Sequence, residues 1–391
     1  MTMIWKTQKI RSITMAKRTN GEGSIYYHNG RSRWVGEYIT ATGTKKTVVG
    51  KTQSEVVKRI DKLRQDTSLG LVVNDKLRLN EYLQEYLTLK ENTVQYGTFD
   101  NYRKLINNHI IPELGKVKLN KLNPIIITGA WNKMLRNNVG IVTIRRCQSL
   151  LSNALNMAIQ RNLMSYNPSN YATPPKAPDQ EVHLLEQHNI ELILDYTTNH
   201  YPEYLPIIMT AFQTGMRRSE LCALKWGDID LDLAVMYVNR TMAKGKNTSY
   251  IEKAPKTKAG RRKIDLAPHF AIYLREYLES LGESVTADTY VFRYVGKHPR
   301  SGQVVMPDRI THIFKRIVRA LEMDSIHFHN TRHSHAGMLL KMGIHPKVVQ
   351  ERLGHASIEI TMNIYSHVAP NLQKEAIQNF PSFSIDGKLT G

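Results

Sequence analysis

Cysteines, long apolar runs and acidic side chains are all scarce in this chain of 391 residues. The two cysteines, Cys147 and Cys222, lack metal-ligand spacing, which excludes a disulfide framework and indicates a reducing, cytoplasmic setting. No stretch approaches the run of about 18 apolar residues that a membrane span needs. The basic N-terminus has no apolar run long enough for a signal peptide. Met15 opens "MAKRTNGEGS" and is an alternative start to Met1. The sequence therefore predicts a cytoplasmic protein with no membrane partner.

Basic side chains outnumber acidic ones, with 54 lysines and arginines against 34 aspartates and glutamates and a formal net charge of +20. Such an excess makes a polyanion the leading partner. Residues 1–76 hold 15 basic and 6 acidic side chains, a net charge of +9, and the rest of the chain carries the other +11. Several surfaces could therefore each meet phosphate groups, although a solvated basic face is the plainer alternative.

The motifs of common cofactor sites are also missing. The chain has no Walker loop, no G-x-G-x-x-G and no H-E-x-x-H motif. In "HFHNTRHSH", His329 and His333 stand four residues apart like two zinc ligands, but Asn330 occupies the place of the general base of a zinc protease. No cluster of carboxylates lies near them in the sequence. We therefore expect neither a metal nor a nucleotide cofactor.

The N-terminal region predicts a small sheet. In residues 21–50, short runs rich in Tyr, Val, Ile and Thr are separated by "HNGR" and "TATGTKK", which is typical of a three-stranded antiparallel meander. One helix follows, and Gly70 suits its end. Basic and aromatic side chains mixed on a sheet suit binding in a DNA groove, although a half-packed, solvated sheet is the alternative. The candidate DNA contacts are Arg31, Arg33, Trp34, Lys45 and Lys46.

The remaining chain predicts a mainly α, multidomain protein. Residues 78–170 repeat apolar side chains at helical spacing, which indicates an all-helical bundle. Residues 235–266 favour strands among the helices of the last region, which predicts a mostly helical domain with a small antiparallel sheet. The predicted regions are a basic tail (1–20), a sheet-plus-helix domain (21–72), a helical domain (78–170), a linker (171–182) and a C-terminal domain with its tail (183–391).

Several short motifs of the C-terminal domain carry the side chains that a metal-free phosphodiester transfer needs. Charge on the non-bridging oxygens requires fixed cations, and a guanidinium offers two donors in a fork. The departing oxygen requires a proton donor such as Lys or His. A side-chain nucleophile conserves the bond energy, and a phenol with a pKa of about 10 is a competent leaving group. The motifs are "TGMRRSEL" (214–221), "PKTKAG" (255–260) near a predicted hairpin tip, "HNTRH" (329–333), "LGH" (353–355) and Tyr365.

Each motif is weak by itself. A tyrosine such as Tyr365 on an amphipathic helix more often fills a core. A lone Arg217 or Arg332 is more often a surface or capping residue, and His355 alone is a helix-end group. Their occurrence together in this order is the stronger evidence for a catalytic site.

This ordered set resembles the tyrosine recombinase (phage integrase) family over the whole region after about residue 183. The match includes the family ending "LGHxxxxxTxxxYxH", here Leu353 to His367. Thr331 replaces the apolar residue usual in the second box, and Lys253 and Lys258 compete with Lys256 as the family's lysine. The resemblance implies paired phosphate clamps at Arg217 and Arg332, a general acid at Lys256, proton transfer through His329, donation to the phosphate by His355, a nucleophile at Tyr365 and a supporting carboxylate at Glu220.

The earlier regions are similar to other domains of the same family. Residues 78–170 resemble the core-binding (SAM-like) domain, which forms a clamp around duplex DNA with the catalytic domain. Residues 21–72 resemble the arm-binding domain of integrases from temperate phages and conjugative transposons. The resemblance thus implies core and arm attachment sites as DNA partners, a homotetramer, and an excisionase and a DNA-bending protein as accessory partners.

The implied activity is the integration and excision of a mobile element or prophage, by way of a 3′-phosphotyrosine and a Holliday junction. The tail "APNLQKEAIQNFPSF" resembles the segment that family members dock onto a neighbouring protomer, with a frayed terminus as the alternative. Two rival functions stay open from the sequence. One is a type IB topoisomerase, and the other is a DNA-binding regulator without catalysis.

Overall fold

The computed structural model describes the chain in two compact units, residues 1–178 and 179–391. Met15, the predicted tail 1–20, Gly70 and Lys256 lie outside the described residues. The residues that the structure describes are 24–39, 45–68, 76–177, 183–246, 249–255, 258–282, 285–294, 300–378, 384–385 and 388–389.

The first unit opens with the predicted three-stranded antiparallel sheet, in the order β1-β2-β3. Its elements are β1 (Ser24–His28), β2 (Arg33–Ile39), β3 (Lys45–Gly50) and the helix α1 (Gln53–Ser68). The helix α1 packs on the sheet at Gly36, because a Cβ atom there would lie 2.5 Å from side-chain atoms of both Val56 and Ile60. This contact defines which face of the sheet is covered.

The rest of the first unit is helical, as predicted. Its helices are α2 (Leu79–Glu91), α3 (Tyr96–Leu105), α4 (Ile111–Leu114), α5 (Pro124–Arg136) and α6 (Ile141–Gln160). A π-helical turn, Ile106–Ile110, joins α3 to α4. The apolar stripe of α6 is buried in the core, where Trp131 from α5 is fully buried and its Nε1 donates to the Gln148 amide oxygen at 2.7 Å.

The second unit is mostly helical with small antiparallel sheets. Its strands are β4 (Ile229–Asp230), β5 (Val235–Val238), β6 (Thr241–Lys244), β7 (Tyr250–Lys253), β8 (Arg262–Asp265), β9 (Ser384–Ile385) and β10 (Lys388–Leu389). Its helices are α7 (Gln187–His200), α8 (Leu205–Thr214), α9 (Arg218–Leu221), α10 (Pro268–Ser280), α11 (Pro307–Ala320), α12 (Phe328–Lys341), α13 (Pro346–Leu353) and α14 (Ile358–Gln378).

The hairpin predicted around "PKTKAG" is wrong. The strand β7 pairs with β6, whereas β8 pairs with β5, so Lys253 and Arg262 belong to different sheets. The reversal lies earlier, where the Gly245 amide donates to the Ser249 carbonyl oxygen at 2.8 Å. Pro255 has no amide hydrogen to donate to a strand partner, which suits it to a crossing segment.

Two apolar clusters organise the second unit. The larger one includes Ile207 of α8 and Phe314 of α11, both buried. The smaller one lies where α12, α13 and α14 meet, and includes Leu340, Val349 and Ile364. Within the described part of the chain, no helix combines the length and the apolar character that crossing a membrane requires.

Candidate active site

Two helix ends bring the site together, and each ends in a glycine. Gly215 follows α8 with a φ of 62° and Gly354 follows α13 with a φ of 66°, both in the left-handed region that favours glycine. A Cβ atom at Gly215 would lie 2.6 Å from the Leu353 side chain, and one at Gly354 would lie 2.5 Å from the Ala259 carbonyl oxygen. Neither position has room for a side chain, because the ends of α8 and α13 lie close to each other and to the segment before β8.

Arg332 lies between these two helix ends. It is on α12 and only 1% exposed. Its Nη1 donates to the Gly215 carbonyl oxygen at 2.8 Å, and its Nη2 donates to the Leu353 carbonyl oxygen at 2.6 Å. Carbonyl groups at a helix C-terminus carry partial negative charge, which stabilises a guanidinium. Burial, followed by the neighbouring Arg217, lowers the pKa of Arg332 to about 9, so it remains cationic at neutral pH.

Arg217 is the more open of the two guanidiniums, with 37% of its side chain exposed. It is the residue before α9, and its amide donates to Glu220 Oε2 at 2.9 Å. Its Nη1 donates to Glu220 Oε1 at 2.7 Å, and its Nη2 donates to the Gly354 carbonyl oxygen at 2.8 Å. The two predicted arginine clamps are therefore held on the neighbouring carbonyl groups of Leu353 and Gly354 at the end of α13.

Glu220, the predicted supporting carboxylate, is buried between two arginines. The second is Arg262 on β8, which our reading of the sequence missed. Arg262 Nη2 donates to Glu220 Oε2 at 2.9 Å, and its side chain is 5% exposed. Burial alone would raise the pKa of the Glu220 carboxyl group, but Arg262 and Arg217 outweigh it and lower that pKa below its ordinary value. The only sequence signal was an arginine closely following the lysine segment.

The two predicted histidines lie in the same cationic environment. His329 is on α12, three residues before Arg332, and His355 directly follows Gly354. His355 is buried, and its Nδ1 shares a hydrogen bond of 2.8 Å with Thr361 Oγ1. Desolvation, followed by nearby cationic groups, lowers the pKa of His329 to about 4 and that of His355 to about 3. Both are therefore neutral at pH 7 in the free protein.

Tyr365 lies on α14, four residues after Thr361, so the two side chains share one face of the helix. Its ring is half-buried against the small cluster formed by α12, α13 and α14. Its hydroxyl group makes no hydrogen bond with any residue that the structure describes. The ring thus packs as a core residue would, while the hydroxyl remains available for chemistry.

The lysine segment reaches the same place at its C-terminal end. Lys256 lies outside the described residues, Lys253 ends β7 with an exposed side chain, and only the backbone of Lys258 is described. Gly260 closes the segment, and its carbonyl oxygen accepts a hydrogen bond of 3.2 Å from Arg262 Nη1. The C-terminal end of the segment is thus attached to the arginine cluster through Gly260.

One further histidine, His333, lies beside His329. The His333 ring contacts the His329 ring edge to face, with 4.6 Å between the centroids. Among the residues with described positions, no group of three or more His, Cys, Asp or Glu side chains is arranged to hold a metal ion.

The candidate DNA contacts of the N-terminal sheet do not share one face. Strand register places Arg33 and Lys45 on the face opposite α1, where Lys45 Nζ lies 2.8 Å from Glu37 Oε2. Trp34 and Lys46 fall on the face that also carries Gly36 and packs on α1. Arg31 ends a 3₁₀ turn before β2, and its side chain is not described. The alternation of a strand separates residues that look adjacent in the sequence.

Comparisons with known proteins agree with this arrangement. The model of the phage integrase family matches residues 183–371, and that of the phage integrase N-terminal SAM-like domain matches residues 78–135. The chain is 26% identical to a tyrosine recombinase XerC-like protein of Caldanaerobacter subterraneus subsp. tengcongensis, covering 95% of this chain and 100% of that protein. It is 24% identical to the ICEBs1 integrase of Bacillus subtilis, covering 74% of this chain and 79% of that integrase.

The fold is similar to that of solved integrases. The Tn1549 transposon integrase in complex with a circular intermediate DNA superposes with a TM-score of 0.67 at 19% identity, covering 77% of this chain and 100% of that chain. A lambda integrase tetramer bound to a Holliday junction gives a TM-score of 0.56 at 18% identity, covering 89% of this chain and 96% of that chain. With family models matching in both units, the chain belongs to the phage integrase family of tyrosine recombinases, which are site-specific DNA recombinases.

Proposed function

We propose that this protein integrates and excises a mobile element or prophage by cutting and rejoining DNA through a covalent 3′-phosphotyrosine. The observation that carries the proposal is the convergence of Arg217, Arg332 and His355 on the ends of α8 and α13. Tyr365 follows one helical turn after the threonine that is hydrogen-bonded to His355. Relatives named as integrases support it, since they include the ICEBs1 integrase and a protein named putative prophage phiRv2 integrase.

In the proposed cleavage step, Tyr365 Oη attacks the phosphorus and passes its proton to His329, while the bond from phosphorus to the 5′ oxygen breaks. Arg217 and Arg332 bind the non-bridging oxygens, where charge accumulates. Lys256 gives a proton to the departing 5′ oxygen, and His329 assists proton transfer. The product is a tyrosine ester on the 3′ phosphate and a free 5′-hydroxyl group, so the energy of the broken bond is conserved.

Rejoining reverses this step with a different strand. The 5′-hydroxyl group of the partner DNA attacks the phosphotyrosine and passes its proton back to Lys256, while the bond from phosphorus to Tyr365 Oη breaks and Tyr365 regains its proton from His329. One such exchange produces a Holliday junction, and a second exchange resolves it. Four protomers on two DNA segments would supply the four nucleophiles, with the tail of each protomer docked on a neighbour.

The low pKa values of His329 and His355 fit a site that is already cationic and that binds an anion. A phosphate near His329 and His355 favours their protonated forms and raises both pKa values. The imidazolium of His355 can then donate to the phosphate. Donation by His355 therefore depends on DNA binding, because His355 is neutral in the free protein and becomes protonated when a phosphate is bound beside it.

The other regions would bring DNA to this centre. Residues 78–170 would bind the core site and residues 21–72 the arm sites, with 171–182 as the linker to the catalytic domain 183–391. On the N-terminal sheet, Arg33 and Lys45 are the better placed of the candidate contacts, since their face does not pack on α1. An excisionase and a DNA-bending protein would set the direction of the reaction, in the cytoplasm at the nucleoid.

The decisive experiment mixes the purified protein with paired duplexes that carry the attachment sites, identified from the DNA junctions flanking its gene. Strand exchange and a covalent protein–DNA adduct are expected, and Tyr365→Phe should lose the adduct while still binding DNA. With a supercoiled plasmid that carries the sites, relaxation without strand exchange would instead indicate a topoisomerase. Full function of Tyr365→Phe would indicate a regulator.

A further inference from the structure

The buried side chain of Arg262 donates hydrogen bonds to several other protein groups. Its Nε donates to the Arg352 carbonyl oxygen at 2.7 Å. Its Nη1 lies 3.2 Å from the Gly260 carbonyl oxygen and 3.3 Å from Glu220 Oε1. Its Nη2 lies 2.9 Å from Glu220 Oε2, and only 5% of the side chain is exposed. With Nε and both Nη nitrogens on protein partners, two of them on Glu220, Arg262 is placed to act through Glu220.

The negative charge of Glu220 would weaken the binding of a phosphate by Arg217 if Arg262 did not balance it. The carboxylate is 4% exposed and contacts the amide and the guanidinium of Arg217. An isolated pair of Arg217 and Glu220 has no net charge, so the carboxylate would offset the attraction of Arg217 for a phosphate. With Arg262 on the other side, the three groups carry a net charge of +1.

Burial makes this compensation strong. In a region from which water is excluded, an unbalanced carboxylate acts on its neighbours with little screening. Glu220 remains ionised there because both arginines lower its pKa. It then accepts one hydrogen bond from the backbone amide of Arg217 and another from its guanidinium. Because Arg262 balances the charge of Glu220, the positive charge of Arg217 can still attract a phosphate.

We propose that Arg262 is a positioning residue of the strand-cleavage reaction, whose buried guanidinium neutralises Glu220 so that the positive charge of Arg217 remains available to the scissile phosphate. This inference rests on the proposed function, in which Arg217 binds that phosphate. It assigns to Glu220 the orientation of Arg217 and to Arg262 the balance of charge.

The test is the rate of covalent adduct formation on a nicked attachment-site duplex, measured for Arg262→Gln, Arg262→Lys and the double variant Glu220→Gln/Arg262→Gln. Arg262→Gln should slow adduct formation by up to about 10²- to 10³-fold, the effect of losing a donor to the developing charge, because the unbalanced Glu220 carboxylate would then offset Arg217. Arg262→Lys keeps the charge and should be less impaired. The double variant removes the uncompensated carboxylate and should regain roughly 10- to 100-fold over Arg262→Gln.

A purely structural role predicts the opposite order, because the double variant loses more buried hydrogen bonds than the single one. The proposal is overturned if the double variant is as slow as Arg262→Gln, or slower, and also if Arg262→Gln cleaves at the unmodified rate. Should Arg262→Gln fail to fold, the double variant decides alone: an active double variant supports the proposal and an unfolded or inactive one overturns it.

Arg240→Gln is the matched control. Arg240 Nη1 lies 3.1 Å from Asp228 Oδ2, and this carboxylate is as buried as Glu220. Arg240→Gln should lower thermal stability without slowing adduct formation by the folded protein. If the unmodified protein itself forms no Tyr365-dependent adduct, the proposed function fails, and that result is distinct from a failure of the double variant to recover.

Discussion

Replacing Gly354 with alanine tests whether the close approach of helix ends creates the active site. Gly354 has a φ of 66°, and a Cβ atom there would lie 2.5 Å from the Ala259 carbonyl oxygen. The left-handed conformation costs an alanine roughly 1–2 kcal/mol. Relieving the contact requires a backbone shift, and overpacking of this kind costs about 1–3 kcal/mol more. We therefore expect the free energy of unfolding to fall by roughly 2–5 kcal/mol.

Gly343→Ala separates these two costs. Gly343 has a φ of 79°, but a Cβ atom there would meet nothing within 4 Å. This variant should show only the conformational cost of roughly 1–2 kcal/mol. The gain from a less flexible unfolded chain is shared by both variants and cancels in the comparison.

The activity should separate the two variants more sharply than the stability does. The Gly354 carbonyl oxygen holds Arg217, and the next residue is His355. A shift that relieves the clash therefore moves a phosphate clamp and a proton donor together, whereas Gly343→Ala moves neither. Urea unfolding gives the stability, and adduct formation on a nicked site gives the activity. If Gly354→Ala is no less stable than Gly343→Ala and cleaves at the unmodified rate, the close approach of the helix ends does not create the active site.

Three further predictions follow from the same site. Arg332→Lys should slow adduct formation by about 10²- to 10³-fold while DNA binding persists, because one ammonium group cannot reach two carbonyl groups and a phosphate as a fork does; equal rates in a nicked-site assay would contradict this. Replacing the catalytic lysine with alanine should slow cleavage, and a substrate whose bridging 5′ oxygen is replaced by sulfur should restore the rate, since a thiolate departs without a proton. When the three lysines are replaced in turn, this restoration is expected at Lys256. Restoration at another position instead would assign the role of general acid to that lysine. Burial, ahead of nearby arginines, lowers the pKa of His355 to about 3 and that of His335 to about 4. Unfolding therefore takes up protons below about pH 6.5, and stability should fall as the pH drops toward 4, by up to about 1.4 kcal/mol per histidine per pH unit. Urea midpoints measured at several pH values check this, and a midpoint that does not change with pH would contradict it.

Local patterns in the sequence predicted much of the architecture. The three-stranded sheet, the helical block and the helix from Pro346 to Leu353 follow from turn residues, apolar spacing and a closing glycine. The hairpin at "PKTKAG" was wrong because strand pairing is not local: β7 and β8 are consecutive in the chain yet pair with different partners. Strand register likewise separated Trp34 from Arg33, since adjacent residues of a strand point to opposite faces.

The sequence by itself determined the chemical inventory, because the order of the motifs and the residue types within them are properties of the chain. It named Arg217, Arg332, the histidines and the tyrosine whose roles we propose, but not Arg262. Only the tertiary structure decided how their charges balance. Arg217 and Gly354 are 137 residues apart in the chain, and Arg262 and Glu220 are 42 residues apart. Whether a buried carboxylate has one cationic partner or two depends on the packing of β8 against α9 and α13, and that packing leaves no local pattern in the sequence.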